Sequence, residues 1–175
     1  MLHDVRSRMF LPFDENQELL FNKQLRPLNA LGCDYFYYLV SDPSTKNKSY
    51  RFCTHEDWMD FYYEEKLIDN DPLKRIMEQS THSILPWSQT SFINKNEKRT
   101  MSGRSAFGLF NGLSIVSNYK DKNHIFVLAT EHKEHDLARY LLLEKNLELK
   151  KLMGGCIALF NEYSYEASLN SYKII

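Results

Sequence analysis

Two strand-like runs, Gly112 to Tyr119 and His124 to Thr130, are separated only by Lys120-Asp121-Lys122-Asn123, a spacing that predicts a β-hairpin. The rest of the chain has to be arranged around that antiparallel pair. Upstream, Cys33 to Val40 is aromatic and β-branched and stops at Ser41-Asp42-Pro43, which reads as a buried strand followed by a polar loop through Ser49. Tyr50 to Cys53 is a short partner strand.

Helical patterns fill the other segments. From Asp14 to Leu31, Leu19, Leu20, Phe21, Leu25, Leu28 and Leu31 fall near helical spacing, with Pro27 placed to kink or divide the segment and Gly32 to end it. Thr54-His55-Glu56-Asp57 matches a loose capping box, so a helix is expected from about His55 to Leu67, with Trp58 and Tyr62 stacked on one face. Asp71-Pro72 reads as an N-cap and N1 proline opening a helix on which Leu73, Ile76 and Met77 share a face, and polar Ser80 to Ser83 ends it. Ile84-Leu85-Pro86-Trp87 leads into a polar stretch, and Ser102 to Phe110 reads as a short helix. Glu134 to Tyr163 is the longest helical stretch, with Gly154-Gly155 placed to bend it and a polar, weakly ordered tail from Ser164. Mixed segregation of this kind reads as α+β, an antiparallel sheet with helices on its faces.

At 175 residues the chain fits a single domain over 1–175, with an ordered core of about 14–163 and a tail at 164–175. Eleven Tyr and eleven Phe give more ring surface than a small core needs, which leaves rings to line a cavity. The net charge of -1 supplies no global attraction to nucleic acid or anionic membrane. Cys33, Cys53 and Cys156 are odd in number and lack CxxC spacing, so buried thiols in a reducing compartment, the cytoplasm, are expected. No run approaches the roughly 18 apolar residues of a membrane span, and neither signal peptide nor anchor is expected.

The candidate site residues are Trp58, Tyr62, Asp71, Trp87 and Gly112. A carboxylate flanked by indole and phenol suits a closed pocket for an apolar small molecule with a few polar atoms better than a catalytic cleft. Plainer readings stand beside this one. Trp58 and Tyr62 also suit ordinary core packing, Asp71-Pro72 also suits a helix cap, and Trp87 also suits a plug at the sheet edge. One carboxylate oxygen can cap while the other faces a ligand. His132 and His135 do not follow the HExxH order, so a solvated face is expected and no metal site. Lys95, Lys98, Arg99 and Arg104 read as a solvated basic loop. With no partnered nucleophile, metal set or phosphate-binding loop, an enzyme using Asp71 as general base is the weakest reading, and no cofactor is expected.

Gly32-Cys33-Asp34-Tyr35-Phe36, Trp58 with Tyr62, Asp71-Pro72, Leu85-Pro86-Trp87, Phe107-Gly108-Leu109 and Asn111-Gly112-Leu113-Ser114-Ile115 together resemble the autoinducer-binding domain of LuxR-type quorum-sensing regulators, from about Asp14 to Tyr163. The resemblance implies an α-β-α sandwich with a five-stranded antiparallel sheet and an N-acyl homoserine lactone, or similar acylated small molecule, held between the sheet and one helical layer. It also implies that Trp58 donates to the lactone carbonyl, that Asp71 accepts from the ligand amide, that Tyr62 and Trp87 supply walls, and that Pro72 and Gly112 are structural. Thr54 stands where the family often has Tyr, Thr130 lies near the strand position (Leu128) that often carries Ser or Thr, and Val116 replaces a usual Pro. These departures point to altered recognition. Phe36 and Tyr38 are counted with the pocket; in a second reading such rings fill it, leaving a ligand-independent interaction module. Relatives of this kind are homodimers that reach DNA through a helix-turn-helix domain, for which nothing after Ser164 leaves room, so either an excised domain or a DNA-free relative is expected.

Overall fold

A computed structural model describes residues 11–42, 49–79 and 83–171. The expected loop at 43–48, most of the polar segment at 80–83 and the end of the tail at 172–175 lie outside the described residues.

Six strands form one sheet: β1 (Leu11–Pro12), β2 (Tyr35–Ser41), β3 (Ser49–Cys53), β4 (Ile84–Pro86), β5 (Asn111–Tyr119) and β6 (Lys122–Thr130), in the order β1-β3-β2-β6-β5-β4. The five strands from β2 to β6 pair antiparallel, as expected, and β1 adds a two-residue parallel bridge at the β3 edge. β4 falls on Ile84-Leu85-Pro86, read above only as a lead into a polar stretch. The hairpin turn is tighter than its sequence suggests. Tyr119 pairs with Lys122, so only Lys120 and Asp121 make the turn, with φ of 48° and 60°. Both central residues of a type I′ turn need such angles, which usually selects Asn or Gly.

The helices are α1 (Glu15–Gln24), α2 (Glu56–Glu64), α3 (Pro72–Gln79), α4 (Lys95–Ala106), a short α5 (Leu137–Arg139) and α6 (Asn146–Ser171). Asp14 caps α1 by accepting from the Gln17 amide at 2.9 Å. Pro27 does divide that segment: a 3-10 helix over Arg26–Leu31 follows and ends on Gly32 at φ 71°. Three other expectations need correction. Thr54 does not cap α2; its hydroxyl accepts from the Phe36 amide at 2.9 Å, tying the end of β3 to β2, and His55 takes the N-cap position without a side-chain bond. α4 begins at Lys95 rather than Ser102, because Asn94 accepts from the Glu97 amide at 2.9 Å and starts the helix there. The long C-terminal stretch is interrupted not at Gly154-Gly155 but at Lys145, where α5 runs into a π-helical turn over Tyr140–Glu144 closed by the Lys145 amide on the Tyr140 carbonyl at 3.0 Å. α6 then continues through both glycines and past Ser164.

Strand alternation sorts side chains into two layers. On one face Phe36, Tyr38, Leu113, Phe126 and Leu128 pack with Phe21 of α1 and with Leu149, Leu152, Cys156 and Phe160 of α6. The opposite face presents Tyr35 and Ala129, with Tyr37 and Val127 partly buried, to Trp58, Met59 and Tyr62 of α2 and Leu73 of α3. The result is an α-β-α sandwich.

Candidate functional site

The first layer is built from deeply buried apolar side chains; the second holds a cavity of about 540 Å³, within the size range of small-molecule sites. Its floor is the sheet, through Tyr37, Leu39, Ile125 and Val127, and its roof is α2 and α3, through Trp58, Tyr62, Leu73 and Met77. Lys74 and Glu78, both well exposed, line the part of it that reaches the surface along α3. The walls between are mostly apolar; Asp71 and Arg104 sit at the buried end, and Ser49, Ser114 and Asn123 add polar atoms along the sheet.

Asp71 is positioned by the start of α3. Proline at N1 fixes the first turn, and Asp71 Oδ1 accepts from the Leu73 amide at 3.0 Å. Tyr62, one turn after Trp58 on α2, donates its hydroxyl to Oδ2 at 2.7 Å. Arg104 completes the set from α4: Nη1 donates to Oδ1 at 3.1 Å and Nη2 to Oδ2 at 2.6 Å, a bidentate pair between two buried side chains. Burial alone would raise the Asp71 carboxyl, but the Arg104 charge and the bonds from Arg104, Tyr62 and Leu73 outweigh it and hold the group below its ordinary value. Burial, then the Asp71 charge, pushes the Tyr62 hydroxyl well up, so it remains a donor.

Arg104 is itself held by rings: its guanidinium lies over Trp58 and Trp87 at 5.5 Å and over Tyr62 at 5.7 Å. α4 reaches this position through a buried polar face. Glu97, Thr100 and Arg104 recur at helical spacing; Glu97 pairs with Arg75 at 2.5 Å, and Thr100 donates to the Asn70 carbonyl at 2.8 Å. Gly103 allows the close approach, since a Cβ there would stand 3.3 Å from the Trp58 ring.

A model of the autoinducer binding domain matches residues 17–153. The chain belongs to the autoinducer-binding domain family. This is the ligand-binding regulatory module of LuxR-type quorum-sensing transcription regulators, and not a class of enzyme. Among solved structures, the chain is similar to SdiA in complex with octanoyl-rac-glycerol (TM-score 0.65, 15% identity, 86% of this chain and 62% of that one). It is also similar to Escherichia coli SdiA (0.64, 17%, 93% and 65%) and to CepR2 from Burkholderia cenocepacia, described as an N-acylhomoserine-lactone-dependent LuxR family factor (0.61, 15%, 82% and 85%). The chain thus spans less than two thirds of the length of these two SdiA structures. A search of the curated proteins gives no match.

Of the residues that the resemblance to autoinducer-binding domains singles out, the structure brings Trp58, Tyr62 and Asp71 together on the cavity. Trp87 is buried beside them but does not line it: its indole N–H donates to Ser114 Oγ at 3.2 Å, and its ring lies on Gly112. Gly112 has no room for a side chain, because a Cβ would meet the Trp87 ring at 2.5 Å and the Leu128 carbonyl at 2.7 Å. Pro72 is the buried N1 residue of α3.

Four residues counted with the pocket lie elsewhere. Phe36 and Tyr38 point into the other layer, one pleat out of step with cavity-lining Tyr35 and Tyr37. Thr54 is exposed at the end of β3. Thr130 is buried at the end of β6, where it donates to Asp34 Oδ2 at 3.2 Å and accepts from the His132 amide at 3.2 Å. Leu128 is likewise on the packed face, and the cavity-lining position beside it is Val127. The missed residue is Arg104, read as part of a solvated loop. Its signal was present in the polar spacing of Glu97, Thr100 and Arg104, a pattern that a search for apolar stripes passes over. No helix among the described residues is long and apolar enough to cross a membrane, and no group of three or more His, Cys, Asp or Glu among them could hold a metal ion.

Proposed function

We propose that this domain senses an acylated small molecule, with the acyl chain laid along Tyr37, Leu39, Ile125 and Val127 and the polar head turned toward Trp58, Tyr62, Asp71 and Arg104. The observation that carries this reading is the 540 Å³ cavity, mostly apolar between its surface mouth and a buried polar end at Asp71 and Arg104. The N-acyl homoserine lactones belong to this ligand class, and CepR2 is named for its dependence on one; SdiA, of the same fold, holds an octanoyl glycerol. The rings that a ligand-independent module would use to fill the site, Phe36 and Tyr38, are spent in the other layer. Occupancy would be passed to a homodimer and to a DNA-binding domain of the kind LuxR-type regulators carry, in the cytoplasm.

The mechanism is linkage between binding and folding. A ligand that fills the cavity completes the second core and stabilises the bound form by RT ln(1 + [L]/Kd), about 2.7 kcal/mol at a hundredfold excess over Kd. A thermal-shift series over acyl esters and acyl amides of increasing chain length tests it. The melting temperature should rise with chain length until the cavity is full. A flat response to every head group and every length would remove the sensor reading.

A further inference from the structure

The polar end of the cavity offers free donors, while its charged acceptor is already filled. A carboxylate has about four lone-pair sites. Asp71 receives four donors, from Leu73, Tyr62 and the two Arg104 nitrogens. The other acceptors at this end are neutral and weaker: Ser114 Oγ already accepts from Trp87 at 3.2 Å, Met59 Sδ faces the Tyr35 hydroxyl at 3.6 Å, and the Tyr35 and Tyr62 hydroxyl oxygens carry no charge. Donors remain. Arg104 commits Nη1 to Asp71 and Met101 and one Nη2 proton to Asp71, so its Nε–H and second Nη2 proton meet no acceptor among the described residues. Those two protons form the side edge of the guanidinium, a fork suited to a pair of oxygens. The rings of Trp58, Tyr62 and Trp87 and the Asp71 pair hold it in place before any ligand arrives.

We infer that Arg104 is a specificity-determining residue, and that it selects acylated ligands whose neutral head presents acceptor oxygens and no N–H: acyl esters of a polyol over N-acyl amides. The inference rests on the sensor reading above and narrows it. An amide N–H entering this end would have to displace one of the donors on Asp71 or settle for a neutral hydroxyl oxygen in place of the carboxylate, and either outcome weakens binding by about tenfold. An ester carbonyl with a neighbouring hydroxyl oxygen meets the free fork instead. A carboxylate head meets it too, but places a second anion beside Asp71 with one cation between them, while Lys74, at the cavity's surface end, is paired with Glu78 at 3.6 Å.

The test compares three probes with the same eight-carbon tail on the full chain by calorimetry: monooctanoylglycerol, N-octanoyl homoserine lactone and octanoate. The glycerol ester should bind at least tenfold more tightly than the lactone, and its binding should shift the Arg104 Nε–H resonance in a nitrogen-15 NMR spectrum. Arg104→Lys keeps a cation opposite Asp71 but has no fork, and should lose the ester preference. Equal or tighter binding of the lactone by the unaltered protein, or an unmoved Nε–H signal with ester bound, overturns the role of Arg104 while leaving the sensor reading intact. Octanoate as the tightest probe overturns the neutral head. Failure of all three, and of longer homologues, overturns the sensor reading together with the inference.

Discussion

Val127 and Leu128 are neighbours on β6 and belong to different environments. Leu128 sits opposite Phe36 on β2 and Leu113 on β5, with no accessible surface, in a layer sealed by α1 and α6. Val127 faces the cavity, across from Tyr37 and Ser114, under helices that contribute a buried ion pair as well as rings. The contrast teaches where cohesion resides. A void and a desolvated charge pair both cost stability, and a fold can carry them on one face of a sheet only if the other is closely packed.

The contrast can be broken most forcefully at the ion pair. Arg104→Ala strands the Asp71 carboxylate in an apolar layer and should cost about 3–5 kcal/mol in urea denaturation. Replacing both members, Asp71→Leu with Arg104→Met, should recover most of that loss, less the α3 cap, about 1 kcal/mol. Adjacent truncations on β6 sharpen the comparison next. Leu128→Ala should cost about 2–5 kcal/mol, because it opens a new cavity in a packed layer, whereas Val127→Ala enlarges an existing one and should cost about 1 kcal/mol. Gly112→Ala forces a methyl into the Trp87 ring and should cost about 1–3 kcal/mol, with a change in tryptophan fluorescence.

The smallest effect belongs to the packed face and depends on pH. His124 is fully buried there, its Nδ1 2.7 Å from the Tyr38 hydroxyl. Burial lowers its basicity more than the Tyr119 backbone bond raises it, so its folded value lies below the ordinary one. As pH falls through about 6.5 the unfolded chain takes up a proton that the folded chain does not, and stability declines until the lower folded value is passed. Melting temperatures measured between pH 7.5 and 5 should show that decline, and His124→Gln should flatten it.

Much of this was legible in the sequence where apolar side chains set the pattern. The strand runs that became β2, β5 and β6, the division at Pro27 and the Asp71-Pro72 start of α3 all stand as read. Two kinds of feature were hidden. Which face of β2 lines the cavity is a question of parity: Phe36 and Tyr37 are both aromatic, and nothing in the strand alone says which layer is hollow. α4 was hidden because its buried face is built from Glu97, Thr100 and Arg104, whose side chains resemble a solvated surface until their partners Arg75, Asn70 and Asp71 are known.

The reversal at Lys120-Asp121 bends through left-handed geometry that Asp121 tolerates and Lys120 does not, at about 1–2 kcal/mol for the lysine by steric reckoning. Such a corner does not recruit its own arms. β5 and β6 are flanked by β2 along seven residues of β6 and by β4 along three of β5, so the neighbouring strands, more than the corner, fix the register of this ribbon.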